Sequence, residues 1–266
     1  MNKSLSELKL KLDYHYKAFD KSKISPDPLQ FLHLFKDENN IESFGFIASV
    51  MAYGNVIQIN NSLNKILEIT GRNPFSFVSN YSNSGDKVYF KNFKHRFYSS
   101  DDIHLLFLIL HNVYKKYGSL KNLFIDSYDK NDFNIKDSLS RFTSKLLYIA
   151  EKENSNFPIS PGVKFMFPLP QKGSACKRMN LFLRWMVRKD ELDLGIWQNA
   201  ISKEKLIIPV DTHVAKVCKS LNLTKRKIAD WKMAEEITSN LRKIDPGDPI
   251  KYDFAICHIG MRKIKF

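Results

Sequence analysis

Two residues whose types and spacing could do chemistry, Lys177 and Asp211, stand 34 positions apart (177 to 211). Lys177 follows a turn of small residues, Gly173-Ser174-Ala175. Asp211 lies within Pro209-Val210-Asp211-Thr212-His213, where a helical pattern begins. Counted at about 3.6 residues per turn, Lys177, Arg184 and Arg188 share one helix face, and Met179, Phe182, Trp185 and Met186 fill most of the rest. Between Glu153 and Asp190 the chain has seven Lys or Arg and no acid. An amine attacks carbon only when neutral, so a nucleophilic lysine needs burial or neighbouring cations to lose its proton. Arg178 and the basic face are the expected cations. A carboxylate in reach would stabilise positive charge at a sugar's anomeric carbon and carry protons. The pair suggests an amine working beside a polyanion. Each residue also has a plainer reading, since Asp is a favoured N-cap and a lysine near a helix start can simply bind phosphate.

The composition supports a polyanionic partner. The net charge is +14 over 266 residues, and a basic balance of this kind points most often to nucleic acid. An abundance of Lys, Asn and Ile across the chain offers a compositional explanation of the same charge. Apolar content of 43% and aromatic content of 13% mark a folded chain and exclude a disordered one. The cysteines, Cys176, Cys218 and Cys257, are far apart and form no CxxC, so neither disulfides nor a cysteine-ligated cluster is expected. No apolar run approaches ~18 residues, and the first residues are polar and charged. The expectation is a soluble, cytoplasmic protein with no membrane partner.

The elements that must position the pair are helices. Leu5, Leu8, Leu12, Tyr16 and Phe19 repeat at helical spacing over 3–20. Asp27-Pro28 reads as an N-cap with proline at the first helical position. Helices are predicted over 41–53, over 55–70 with Gly71 as its stop, and for a turn after Pro74. Ser100-Asp101-Asp102 should cap a helix running through Tyr117, and 134–150 carries another apolar stripe. Residues 80–100 mix basic and aromatic side chains with some strand character. They read either as a surface loop anchored by its aromatics or as a strand-contacting loop using stacking and charge. Residues 151–172 have four prolines and no period. After the Lys177 helix come a weak helical stretch over 192–203 and helices over 211–222, over 230–244 capped by Asp230, and over 249–260 closed by Gly260. The fold class is all-α.

The segments quoted so far also carry a resemblance. PVDTHVAKVCKSLNL, GSACK and DPGDPIKYDFAICHIGM resemble the aspartate motif, the hairpin lysine and the closing helix of the helix-hairpin-helix–GPD superfamily of DNA glycosylases. The long lysine-to-aspartate spacing is similar to the archaeal GO glycosylases (AGOG), which excise 8-oxoguanine. The hairpin reads G-S-A-C-K where the family pattern is G-h-G-x-K, so its second glycine is missing. The resemblance implies two helical subdomains with a helix-hairpin-helix element at the cleft between them. Residues 30–172 would form a helical barrel, and 1–29 with 173–266 the second lobe. It implies a monomeric glycosylase and AP lyase acting on duplex DNA with a damaged base, without a cofactor or metal, with Lys177 and Asp211 catalytic. Lys172, Gly173, Ser174, Arg178, Arg184 and Arg188 would bind DNA. Asp253, His258, Gln58 and Cys176 would contact the extruded base, although Asp253 in a first helical turn and small Cys176 also suit structural roles. The alternatives are a non-catalytic DNA-binding module and an RNA-binding protein.

Overall fold

The helical period carries through into the computed structural model, which describes residues 3–83, 85–154 and 158–262. The helices are α1 (Lys3–Ala18), α2 (Glu38–Met51), α3 (Val56–Ile69), α4 (Pro74–Ser79), α5 (Ser100–Tyr117) and α6 (Leu120–Ile125). They continue with α7 (Lys136–Glu153), α8 (Pro161–Met166), α9 (Lys177–Val187), α10 (Thr212–Ser220), α11 (Trp231–Arg242) and α12 (Asp253–Arg262). Among the described residues there is no strand, only isolated bridges such as His95 with Tyr98 and Ser174 with Asp230. No described helix is long and apolar enough to cross a membrane.

Short polar side chains set where the helices begin. Asp37, Asn55, Asn73, Ser160, Asp211 and Asp230 each accept a backbone N–H from the first turn of the following helix, the usual remedy for its unsatisfied donors. α5 opens with a reciprocal capping box between Ser99 and Asp102. Asp27 caps a 3-10 helix, Pro28–Leu34, in place of an α-helix.

Two stretches differ from the sequence reading, and a third, the 80–100 loop, gains detail. Residues 192–203 form turns, because Leu192, Asp193, Trp197 and Ile201 anchor the segment individually without a helical stripe. The last helix starts at Asp253 and runs through Gly260. A Cβ on Gly260 would lie 3.1 Å from both His213 Cβ and Val217 Cγ2, so this glycine allows α12 to approach α10 and does not end the helix. The 80–100 connection is a 3-10 turn, Asp86–Phe90, followed by irregular chain.

The chain forms two compact units. One comprises Met1–Ile24, Asn131–Lys136 and Pro170–Phe266; the other comprises Ser25–Lys130 and Asp137–Leu169. In the first, α12 packs against α10 and α1. Tyr252 donates to Asp13 at 2.6 Å, and Phe19 meets Phe254 edge-on. In the second, the apolar faces of α2 and α5 are buried, and buried Glu42 accepts the N–H groups of Leu120 and Lys121, capping α6 from a distance. Asp102 accepts a hydrogen bond from Ser160 and so fixes the start of α8 against that of α5.

Candidate active site

The turn before α9 is fastened at both ends. Gly173 (φ +85) donates to Pro170 O at 2.9 Å, and its own carbonyl accepts the Trp231 N–H at 3.0 Å. The Ser174 hydroxyl oxygen accepts the Cys176 N–H at 3.2 Å, and Asn180 holds the Ala175 carbonyl at 3.0 Å. Cys176 itself adopts φ +48, a conformation unfavourable for a residue with a Cβ. Lys177 therefore leaves a rigid corner that is joined to the first residues of α11.

Asp211 is positioned as firmly. The run Leu206–Val210 is buried, and Ile208 N–H donates to Thr238 Oγ1 at 3.1 Å, so the chain reaches the surface at Asp211. Its Oδ1 accepts the N–H groups of His213 and Val214, each at 2.9 Å, and caps α10. Its Oδ2 lies 3.8 Å from Lys177 Nζ, with the two side chains 29% (Lys177) and 26% (Asp211) exposed. One oxygen is spent on the helix while the other faces the amine. Asp211 is thus a helix cap whose second oxygen lies within 3.8 Å of the Lys177 amine.

Beyond Lys177 the basic face of α9 does not reach solvent. Every residue from Arg178 to Arg188 is buried. Arg184 donates to Asp193 at 3.1 and 3.0 Å and to Asp253 at 2.6 Å. Arg188 bonds Asp248 at 2.9 Å, Asp190 at 3.0 Å and Asp193. Four carboxylates thus surround two guanidinium groups inside the protein. This corrects the expectation that Arg184 and Arg188 bind phosphate, or that they supply uncompensated positive charge near Lys177. Buried ions must be matched, and here the acids come from just beyond the acid-free run, from Asp248 in the connection before α12, and from Asp253 at its start. Arg178, 5% exposed, is likewise no surface contact.

The other candidates separate. Asp253 is 2% exposed and engaged with Arg184, so it serves the network and not an open pocket. Burial pushes its carboxyl up to about 6 despite Arg184, with the negative charges of Asp211 and Asp193 adding to the shift. Its Oδ1 is a buried atom with no hydrogen-bond partner among the described residues. His258 is buried, its ring stacked on Phe254 at 4.0 Å and beside Phe19 at 5.3 Å, a packing role in α12. The expected base contact by His258 is corrected accordingly. Cys176 is buried, and burial raises its thiol to about 12, which keeps it protonated near neutral pH. Gln58 is exposed on α3, in the unit that does not contain Lys177. His213 is exposed in the first turn of α10.

Of the expected DNA contacts, Lys172 and Gly173 are exposed and Ser174 is half-buried. Through the Ser174–Asp230 bridge this turn adjoins the segment that leads into α11, where Lys225, Lys227 and Lys232 are exposed. The sequence reading passed over these lysines, although the signal stood in Thr224-Lys225-Arg226-Lys227. Among the described residues no group of three or more His, Cys, Asp or Glu is placed to hold a metal ion.

A family model described as "Protein of unknown function (DUF2400)" matches residues 27–262, and the chain belongs to that family. No curated protein and no solved structure matches it. The match corrects the assignment to the helix-hairpin-helix–GPD superfamily and its archaeal GO branch, because no model of that superfamily matches. The motifs behind that resemblance are short and largely local. An Asp-capped helix after a buried apolar run, and a lysine after a small-residue turn, arise wherever capping and tight turns are needed.

Proposed function

We propose that this DUF2400 member is a DNA glycosylase with AP lyase activity that removes an oxidised purine, 8-oxoguanine being the first lesion to test. The observation that carries this reading is the approach of Asp211 Oδ2 to within 3.8 Å of Lys177 Nζ, while Oδ1 is held by the α10 cap. A carboxylate fixed by two backbone donors is preorganised, so it need not reorient during reaction. The net charge of +14 and the exposed Lys172, Lys225, Lys227 and Lys232 favour a polyanionic substrate.

In this mechanism Lys177 first passes a proton to Asp211. Its amine then forms a bond to C1′ of the damaged nucleotide as the C1′–base bond breaks, and the departing base takes up that proton. Opening of the C1′–O4′ bond, with one proton moving from nitrogen to O4′, gives a protonated imine. Loss of a C2′ proton to a basic group expels the 3′ phosphate and nicks the strand. Water then hydrolyses the imine and restores the lysine. Asp211 provides negative charge opposite the cationic sugar carbon and a site for the proton in transit.

Borohydride reduces such an imine to a stable amine, so protein should become covalently attached to lesion-bearing or abasic duplexes. Lys177→Gln should form no adduct while its DNA affinity stays within a few fold of wild type. Strand cleavage by Lys177→Gln would overturn the assignment. Tight binding by the wild-type protein with no adduct on any lesion would favour a non-catalytic DNA-binding module.

A further inference from the structure

We infer that the tip of the 86–98 connection, together with α8, forms a stacking surface for the unpaired bases of single-stranded DNA. The surface lies entirely within the unit Ser25–Lys130 and Asp137–Leu169. Its centre is Phe97, 52% exposed, in edge-on contact at 4.8 Å with Phe165, itself 40% exposed. Tyr53 lies beneath both, 5.2 Å from Phe97 and 5.1 Å from Phe165.

The tip is built to hold these rings out. Phe93, His95 and Tyr98 point inward and are buried, whereas Lys91, Lys94, Arg96 and Phe97 are exposed. His95 and Tyr98 exchange backbone hydrogen bonds at 3.1 and 2.9 Å and pinch a two-residue turn between them. His95 is fixed below by Ser62 and the Met51 carbonyl, and Tyr53 donates to the His95 carbonyl at 3.1 Å. Arg96 takes φ +55 at the turn, where glycine would be the relaxed choice. Its guanidinium lies over the Tyr53 ring at 5.3 Å and crosses Gly54 so closely that a Cβ there would fall 2.1 Å from it. The turn thus holds an arginine and a phenylalanine outward on a fixed base.

Charge complementarity selects the ligand. Residues 87–100 contain no acid, and neither do residues 154–189, which supply α8 with exposed Lys164. Aromatic rings and an arginine plane interleaved with lysines suit a flexible polyanion whose bases offer flat faces, because stacking needs no particular base. A protein partner would be drawn to the rings but would have to bury Lys91, Lys94, Arg96 and Lys164 opposite acids. The choice of DNA over RNA rests on the function proposed above; the stacking chemistry does not depend on Lys177.

The test compares a fluorescein-labelled 15-mer oligothymidylate with a 15-mer of the same backbone lacking every base, using the full chain. Wild type should prefer the base-bearing oligomer by about tenfold or more, the scale of one stacked base. Phe97→Ala with Phe165→Ala should abolish that preference and leave affinity for the base-free oligomer unchanged. Phe97→Trp should keep the preference and lose indole fluorescence on binding, which controls for misfolding of the alanine variant. Equal wild-type affinity for the two oligomers, or a preference that survives the double substitution, overturns the inference. Tighter binding of oligouridylate overturns the assignment to DNA. Because no cleavage is read, the outcome is independent of borohydride trapping at Lys177.

Discussion

Replacing Arg184 with methionine asks whether the basic residues of α9 hold the fold or hold DNA. Arg184 donates to Asp193 at 3.1 and 3.0 Å and to Asp253 at 2.6 Å, and the three side chains are at most 3% exposed. Methionine fills similar volume but leaves two carboxylates facing a thioether. Stranding the partner of a buried ion pair costs about 3–5 kcal/mol. Asp193 would keep Arg188, which favours the lower end, about 3 kcal/mol. Against a total stability of about 5–15 kcal/mol this is a large share. At roughly 2–4 °C per kcal/mol for a chain of about this size, the melting temperature should fall by roughly 6–12 °C. Thermal melts followed by circular dichroism measure that loss. DNA binding is then measured against salt, well below the melt. Losing a phosphate contact lowers the log–log slope by about 0.9, and Arg184→Met should leave it unchanged. A variant that melts with wild type and loses that much slope would refute the buried network.

Asp211→Asn should keep the α10 cap, since Asn caps as well as Asp, and melt near wild type. Its excision rate in single-turnover assays should drop about a hundredfold or more, and a wild-type rate would reduce Asp211 to a cap. The Asp253 carboxyl, at about 6, lies above the ordinary value of 3.8. The folded state therefore holds this proton more tightly, and the stability it confers is complete below the unfolded value and is lost as pH rises through about 6. Melts of Asp253→Asn against wild type should shift in favour of the variant between pH 4 and pH 7, and a pH-independent difference would contradict the shift. Gly260→Ala should cost about 1–3 kcal/mol in urea unfolding, because its new methyl group meets α10 at 3.1 Å. No measurable loss would mean that α10 and α12 separate freely.

Much of the helical architecture was legible because its signals are local. Asp230 and the Ser99–Asp102 box stand in sequence beside the helices they cap, and the stripes of α1 and α7 repeat at the helical period. The Lys177–Asp211 pair was legible by residue type, although only the fold could bring Nζ to 3.8 Å from Oδ2. The fate of Arg184 and Arg188 was not legible. Asp190 and Asp193 stand close by in sequence, but the other two partners, Asp253 and Asp248, lie 69 and 60 residues away, and a charge run seen alone says nothing of acids that return from such distances. Gly260 misled for the same reason: a glycine that ends a helix and one that admits a neighbouring helix look alike until the neighbour is known. The family match overturned the resemblance because three short segments specify local geometry, whereas the match extends over residues 27–262.

The partners of α1 are made long after α1 itself. Tyr252 reaches Asp13 across a separation of 239 residues, and Tyr16 reaches Asp190 across 174. At synthesis rates of about 5–20 residues per second, α1 waits roughly 10–50 s before α12 leaves the ribosome. Leu12 of α1 is fully buried in the finished protein, in which α1 packs against α12. A chain cut short before Tyr252 would therefore carry an α1 that lacks both the Tyr252–Asp13 hydrogen bond and the α12 surface against which it packs.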